Sequence, residues 1–303
     1  MSLGLRAKAN VFWGYGLAAV FLVLTQSLAA QNLTFEDIKK LPVPAGAQRS
    51  SYGSDPSQFG ELRLPPGKGP YAVVVVIHGG CWYSEYDLTQ LANFNARLTS
   101  LGVATWSLEY RGIGNPGGGW PGTFTDVARG TDHLRILARS YPLDLKRVIV
   151  VGHSAGGQLA LWLAARRRLP KNSPLYTTNP LRLRGIVSLA GITDLRKYRP
   201  NCGDAVSKLL GGSPDEVPDR YRQTSPIERL PLGVEQRLIQ GALDEIVPAN
   251  FSKDYEAAAR KKGDHVRLTI VASAGHFDLI APQSSAWPAV EKAVRSLLTL
   301  RKR

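Results

Sequence analysis

With only two cysteines, one methionine and five histidines in 303 residues, the sequence leaves little room for several kinds of chemistry. Two thiols cannot build a disulfide-dense scaffold. Nor do the cysteines and histidines fall at ligand-like spacing for a metal, so neither a metal nor a cofactor is expected. No phosphate-binding Gly-rich loop ending in Gly-Lys is present, and no serine has a lysine three residues later, which removes the Ser-x-x-Lys type of nucleophile. Long runs of one charge are also missing, although 38 basic residues against 24 acidic ones give a net charge of +14. The densest basic runs are Arg166-Arg167-Arg168, Lys261-Lys262 and Arg301-Lys302-Arg303. Each closes a predicted helix, where cations complement the macrodipole, so no nucleic-acid partner is expected. A weak attraction to anionic polymers or envelope surfaces stays open.

What the sequence does contain is a strand, a sharp turn and a helix in immediate succession. The apolar run Val148-Ile149-Val150-Val151 leads into Gly152-His153-Ser154-Ala155-Gly156 and then into Gln158-Leu159-Ala160-Leu161-Trp162-Leu163. A serine on such a turn needs small flanking residues, because strand and helix backbones approach closely there. Ser154 is the candidate nucleophile. A hydroxyl becomes a useful nucleophile only when an imidazole takes its proton and a carboxylate orients that imidazole. Asp244 follows the short predicted strand Arg237 to Gly241, and His276 follows the predicted strand Val266 to Val271, in the chain order such a site requires. Glu245 and Asp278 are adjacent decoys: one lies deeper in its turn, and the other is only two residues from the histidine it would orient.

Acyl transfer also needs donors for the oxyanion. The apolar run Tyr71 to Ile77 ends in His78-Gly79-Gly80-Cys81-Trp82, where glycines let backbone amides turn toward a substrate oxygen. The N–H groups of Ala155 and Gly80 are the candidates, with Gly79 shaping the loop and Cys81 as a possible helper. Together, the H-G-G-x-W loop, the G-H-S-A-G-G elbow, the G-x-x-D-x-x-V-P turn and the G-H-F segment resemble the esterase branch of the α/β-hydrolases. That branch includes arylformamidases and the deacetylase/feruloyl-esterase-like carbohydrate esterases. The resemblance spans roughly residues 55 to 300 and implies the same triad, Ser154, Asp244 and His276, with an oxyanion loop at Gly79 and Gly80.

The expected fold class is α/β, with a mostly parallel central sheet covered by helices on both faces. Strands are predicted near 59–64, 71–77, 103–109, 147–151, 184–190, 237–241 and 266–271, and helices near 88–99, 122–140, 155–168, 249–262 and 286–300. Residues 193–222, punctuated by Pro200, Pro214 and Pro218, read as a short cap with little periodicity. Gly112-Ile113-Gly114-Asn115-Pro116-Gly117 imitates a dinucleotide fingerprint, but Gly118-Gly119-Trp120-Pro121 follows where a helix should open. It reads instead as a flexible loop at the catalytic edge. Trp82, Tyr83, Tyr110 and Trp120 lie on or beside such loops and are candidate substrate-binding residues, Trp82 foremost; the alternative for each is packing its loop against the sheet.

At the N-terminus, Arg6 and Lys8 precede an uncharged stretch from Val11 to Leu28 and small residues at Ser27, Ala29 and Ala30. This pattern reads as a secretory signal over residues 1–30, leaving a single catalytic domain over 31–303 in the periplasm or outside the cell. A retained anchor is the competing reading; Gly14, Gly16 and the polar run from Gln31 favour cleavage and no stable membrane insertion afterwards. Export would allow Cys81 and Cys202 to form one bridge at the active-site mouth, the alternative being two buried thiols. The expected activity is hydrolysis of small-molecule or carbohydrate carboxylic esters through an acyl-enzyme. Arylformamidase activity ranks second, and a serine peptidase or a non-catalytic ligand-binding protein ranks below it.

Overall fold

The computed structural model describes residue 1 and residues 32–298. Apart from Met1, the expected export signal lies outside the described residues, as do Arg301 to Arg303. Among the described residues, eight strands form one sheet: β1 (Gln48–Ser51), β2 (Phe59–Arg63), β3 (Tyr71–Ile77), β4 (Ala104–Leu108), β5 (Leu143–His153), β6 (Gly185–Leu189), β7 (Glu235–Gly241) and β8 (Val266–Val271). Their order is β1-β2-β4-β3-β5-β6-β7-β8. The pairs β1·β2 and β2·β4 are antiparallel, and every pair from β4 to β8 is parallel. This is the α/β-hydrolase fold.

The apolar run of β3 explains why it is central. Val73, Val75 and Ile77 join one core cluster, while Ala72, Val74 and Val76 join the other, so both faces of the strand are buried in the alternating manner of a pleated sheet. The first face is covered by α3 (Gly122–Asp132), α5 (Ala155–Ala165) and α9 (Asn250–Lys261), and the second by α2 (Ala92–Ser100) and α10 (Trp287–Leu298). All eleven residues of α5 are buried. By contrast, α10 buries Val290, Ala293, Val294 and Leu297 at helical spacing and leaves its other side to solvent.

Several elements depart from the expected pattern. Strand β1 was not foreseen, because Gln48-Arg49-Ser50-Ser51 has no apolar residue to bury and pairs only at the sheet edge. The expected helix 122–140 is broken after Asp132, with α4 (Leu134–Leu137) following. The Gly130 carbonyl, which would accept the N–H of Leu134, accepts instead from the buried Trp106 indole at 2.8 Å. The cap segment is more regular than its prolines suggest: α6 (Leu195–Tyr198), α7 (Ala205–Leu210) and α8 (Pro218–Thr224) bury Leu195, Tyr198, Val206, Leu209, Leu210 and Tyr221 in the main core. A further short helix, α1 (Phe35–Lys39), precedes the sheet.

The glycine-rich loop after β4 is pinned rather than flexible. Arg111 makes a bidentate pair with buried Asp126 at 2.7 Å per contact, and Asn115 accepts from Gly112 N at 2.9 Å. Arg166 also differs from a solvated basic cluster: it is fully buried, bound to both Asp132 oxygens at 2.6 and 2.9 Å and to the Ala128 carbonyl at 3.1 Å. Among the described residues, no helix is long and apolar enough to cross a membrane.

Candidate active site

Strand β5 ends at His153 and α5 begins at Ala155, so Ser154 alone makes the turn. Its φ of 56° and ψ of −120° lie outside the regions comfortable for an L-residue, at a cost on the order of 1–3 kcal/mol. The flanking glycines are sterically required. A Cβ on Gly152 would sit 2.0 Å from the Gly156 carbonyl oxygen, and one on Gly156 would sit 2.2 Å from the Ile77 carbonyl oxygen. The elbow is anchored by Ser154 N donating to Leu189 O at the end of β6, 2.8 Å away.

Asp244 stands in the loop after β7, and His276 in the loop after β8. His276 Nδ1 donates to Asp244 Oδ2 at 2.8 Å, which leaves Nε2 as the free ring nitrogen. The carboxylate is held on both oxygens: Oδ1 accepts from Ile246 N and Val247 N at 2.9 and 2.8 Å, and Oδ2 also accepts from Gln240 Nε2 at 3.1 Å. Gln240 is in turn fixed by Ser252 Oγ and by the Val247 carbonyl. This brace was not foreseen, since a glutamine inside a strand carries no motif. The decoys are excluded by position: Glu245 is exposed, and Asp278 accepts from Gly275 N at 2.9 Å, closing its own turn.

The loop after β3 reverses sharply, with Gly80 at φ +106° and Cys81 and Trp82 also at positive φ. A Cβ on Gly80 would stand 2.4 Å from Tyr86 Cβ. Among the described residues, no acceptor meets the N–H of Gly80 or of Cys81. The N–H of Ala155 is likewise at a helix start, where no intrahelical acceptor exists. Gly79 lies against the elbow, its missing Cβ only 3.0 Å from Ser154 Cβ.

A buried network sets the direction of this loop. His78 Nδ1 donates to the Gly79 carbonyl at 2.8 Å, fixing the peptide unit whose N–H belongs to Gly80, and His78 Nε2 meets Glu109 Oε1 at 3.1 Å. Burial works against a charged His78, but the Glu109 carboxylate outweighs it, and the imidazole pKa is raised above 6.5. Tyr110 stacks on His78 with ring centres 4.4 Å apart and donates its hydroxyl to the His78 carbonyl at 3.0 Å. Trp82 is fully buried and donates its indole N–H to Gln158 Oε1 on α5 at 3.1 Å. Trp82 and Tyr110 are therefore supports of the loop and not substrate-binding residues. Trp120 is half-buried between Phe124, 6.1 Å away, and the Arg220 guanidinium at 5.7 Å, and it does not line the cavity at Ser154. Tyr83 instead accepts from Lys208 Nζ on α7 at 3.0 Å.

Ser154, His153, His276 and Gly80 share one cavity of about 230 Å³. Phe35, Tyr86, Ile246 and Phe277 form its apolar walls, together with a Cys81–Cys202 disulfide that ties the loop after β3 to the cap. His153 donates through Nε2 to the His276 carbonyl at 3.1 Å. Burial first, and the nearby His276 second, hold its pKa well below 6.5, so it is a neutral brace.

Residues 61–258 match the BD-FAE family. The chain belongs to the BD-FAE family. It is thus an esterase of the α/β-hydrolase type, and the arylformamidase resemblance is not supported by the match. No curated protein sequence matches this BD-FAE chain. Solved structures do: a truncated carbohydrate esterase from gut microbiota is 18% identical with a TM-score of 0.72, covering 84% of this chain and 97% of its own. Esterase B from Lactobacillus rhamnosis is 19% identical, with a TM-score of 0.73 over 87% of this chain and 89% of its own. A thermophilic esterase from Thermogutta terrifontis is 17% identical, with a TM-score of 0.71 over 88% of this chain and 100% of its own.

Proposed function

We propose that this chain is a serine carboxylesterase that cleaves small or sugar-linked esters through an acyl-enzyme. The observation that carries the reading is the 2.8 Å bond from His276 to Asp244, with His276 and Ser154 opening onto one cavity beside unpaired loop amides. In this reading His276 Nε2 takes the Ser154 proton as Oγ attacks the ester carbon. Asp244 keeps the imidazole in the Nδ1–H tautomer and stabilises its cation. The carbonyl electrons move onto the oxyanion, which accepts from the Ala155 and Gly80 N–H groups. His276 then returns the proton to the leaving alcohol, and a water activated by the same nitrogen hydrolyses the acyl-serine.

The Thermogutta terrifontis esterase 2, 17% identical and of the same fold, is phosphorylated by paraoxon, which supports a reactive serine in this chain. We also infer that the protein works in the periplasm or outside the cell. The charged, apolar and small-residue pattern of residues 1–30 and the Cys81–Cys202 bridge support that placement, because such bridges persist where thiols are oxidised. N-terminal sequencing of the protein from the envelope fraction checks it: a start near Gln31 is expected, and a chain retained intact in the cytosol contradicts it.

The activity is tested with p-nitrophenyl esters of increasing acyl length, with Ser154→Ala as the control. Acetate turnover that falls by at least about 10³-fold in Ser154→Ala is expected, since the triad works as one unit. Full activity in that variant contradicts the assignment.

A further inference from the structure

Phe35 belongs to a segment that neither the sequence motifs nor the triad accounts for. It sits on the five-residue helix α1, too short to persist by itself. Two features hold α1 in place. Thr34 and Asp37 form a reciprocal capping box, with Thr34 N donating to Asp37 Oδ2 at 3.0 Å and Asp37 N donating to Thr34 Oγ1 at 3.3 Å. Ile38 is buried in the core cluster that includes Leu91, Phe94 and Leu98. The result is that the Phe35 ring is held between Tyr86, centre to centre 5.3 Å, and Phe277, 5.6 Å, and so joins the loop that follows Gly80 to the residue that follows His276.

Phe35 is also the shared wall of two spaces. Inward lies the cavity of about 230 Å³ that holds Ser154. Outward lies a more open groove of about 610 Å³ between residues 32–35 and 242–246, which besides Phe35 shares Ile246, His276 and Phe277 with the cavity. Leu243 and Ile246 on the groove are 52% and 40% exposed, an unusual display of large apolar side chains on this protein. An ester has two ends, and the histidine must return its proton to the alcohol end. The alcohol is then expected on the His276 side, which the groove continues, and the acyl group against Gly80, Cys81 and Tyr86, which line the cavity and not the groove.

Resting on the serine-esterase reading of this site, we propose that Phe35 determines specificity by separating a small acyl cavity from a larger, more open alcohol groove. The substrate class is then an ester of a small acyl group with a bulky alcohol whose apolar face lies along Leu243 and Ile246.

Two substrate series test this. In the first, p-nitrophenyl acetate, butyrate and octanoate vary the acyl group; in the second, methyl, cyclohexyl and pyranoside acetates vary the alcohol. Wild type should lose kcat/KM steeply along the first series and not along the second. Phe35→Ala should raise the octanoate-to-acetate ratio of kcat/KM by about tenfold or more, the scale on which pocket walls discriminate methylenes. Phe35→Trp should lower the butyrate-to-acetate ratio, which keeps the test informative should the alanine variant fold poorly. Wild-type ratios in both variants, with acetate turnover still dependent on Ser154, overturn the role of Phe35 and leave the esterase reading standing. Absence of Ser154-dependent acetate turnover in wild type overturns the esterase reading and this inference with it.

Discussion

The two halves of the cavity are built by different means. The inner half, from His78 to Trp82 and from Gly152 to Ala155, is clamped by buried bonds: His78 to Glu109, Tyr110 to His78, and Trp82 to Gln158. Its residues hang from β3 and β5, the centre of the sheet, and several hold backbone angles that only dense packing maintains. The outer half is made of Phe35, Ile246 and Phe277, half-buried or exposed side chains on a five-residue helix, on the loop after β7 and at the start of a short 3-10 helix after His276. Its contacts are ring edges and methyl groups rather than hydrogen bonds. Atom placement for the reaction is thus fixed to the sheet, whereas substrate size is set by parts that can change without disturbing it.

The sharpest way to break that contrast is a change at the inner half that leaves the core alone. Gly80→Ala should lower kcat on p-nitrophenyl acetate by about 10²-fold or more, the cost of losing an oxyanion donor. A Cβ there meets Tyr86 at 2.4 Å on a backbone of φ +106°, so the loop must move. An unchanged kcat in a folded variant removes Gly80 from the oxyanion site.

Trp82 comes next, because it separates support from recognition. Trp82→Ala should destabilise the protein by about 3–5 kcal/mol, as expected for a buried tryptophan, measured by urea unfolding. The milder Trp82→Phe should leave the acyl-length profile of the wild type intact. A changed profile with unchanged stability would return Trp82 to the substrate.

Glu109 probes the clamp by pH. The His78 pKa is raised in the folded protein, so its contribution to stability is complete below 6.5 and is lost as pH rises through the raised value. Glu109→Gln removes the partner that raises it, and the difference in thermal midpoint between wild type and variant should shrink as pH rises past that range. A difference that is constant with pH would mean that the pair acts without charge. Turnover of acetate should fall modestly, about tenfold, since the Gly79–Gly80 peptide loses one tether and keeps its packing.

Much of the inner half was legible in the sequence, because each piece is a contiguous motif whose geometry is local. Gly152 to Gly156 must turn sharply wherever it occurs between strand and helix, and a β-strand such as Tyr71 to Ile77 ending in Gly-Gly must deliver its loop to the sheet edge. Asp244 and His276 followed from their places after β7 and β8, and the structure brings them into contact. The Cys81–Cys202 pairing was one of two open readings. Side-chain direction was not legible. Trp82 and Tyr110 stand beside the loop in sequence, yet both turn inward, and only the partners Gln158 and His78 explain why. The outer half was unreadable for a related reason: Phe35 lies 119 residues before Ser154, in a short polar-flanked helix that leaves no periodic trace. Gln240 was missed because its role depends on Asp244, Val247 and Ser252 folding around it.

The central claim is that Ser154 is the nucleophile activated by His276. It is tested most directly by treating the protein with paraoxon and locating the adduct by peptide mass spectrometry, in wild type and in His276→Ala. One phosphoryl group per chain is expected, on Ser154, formed together with loss of esterase activity and strongly slowed in His276→Ala. Inactivation with the adduct on any other residue, or labelling of Ser154 that leaves turnover intact, would contradict it.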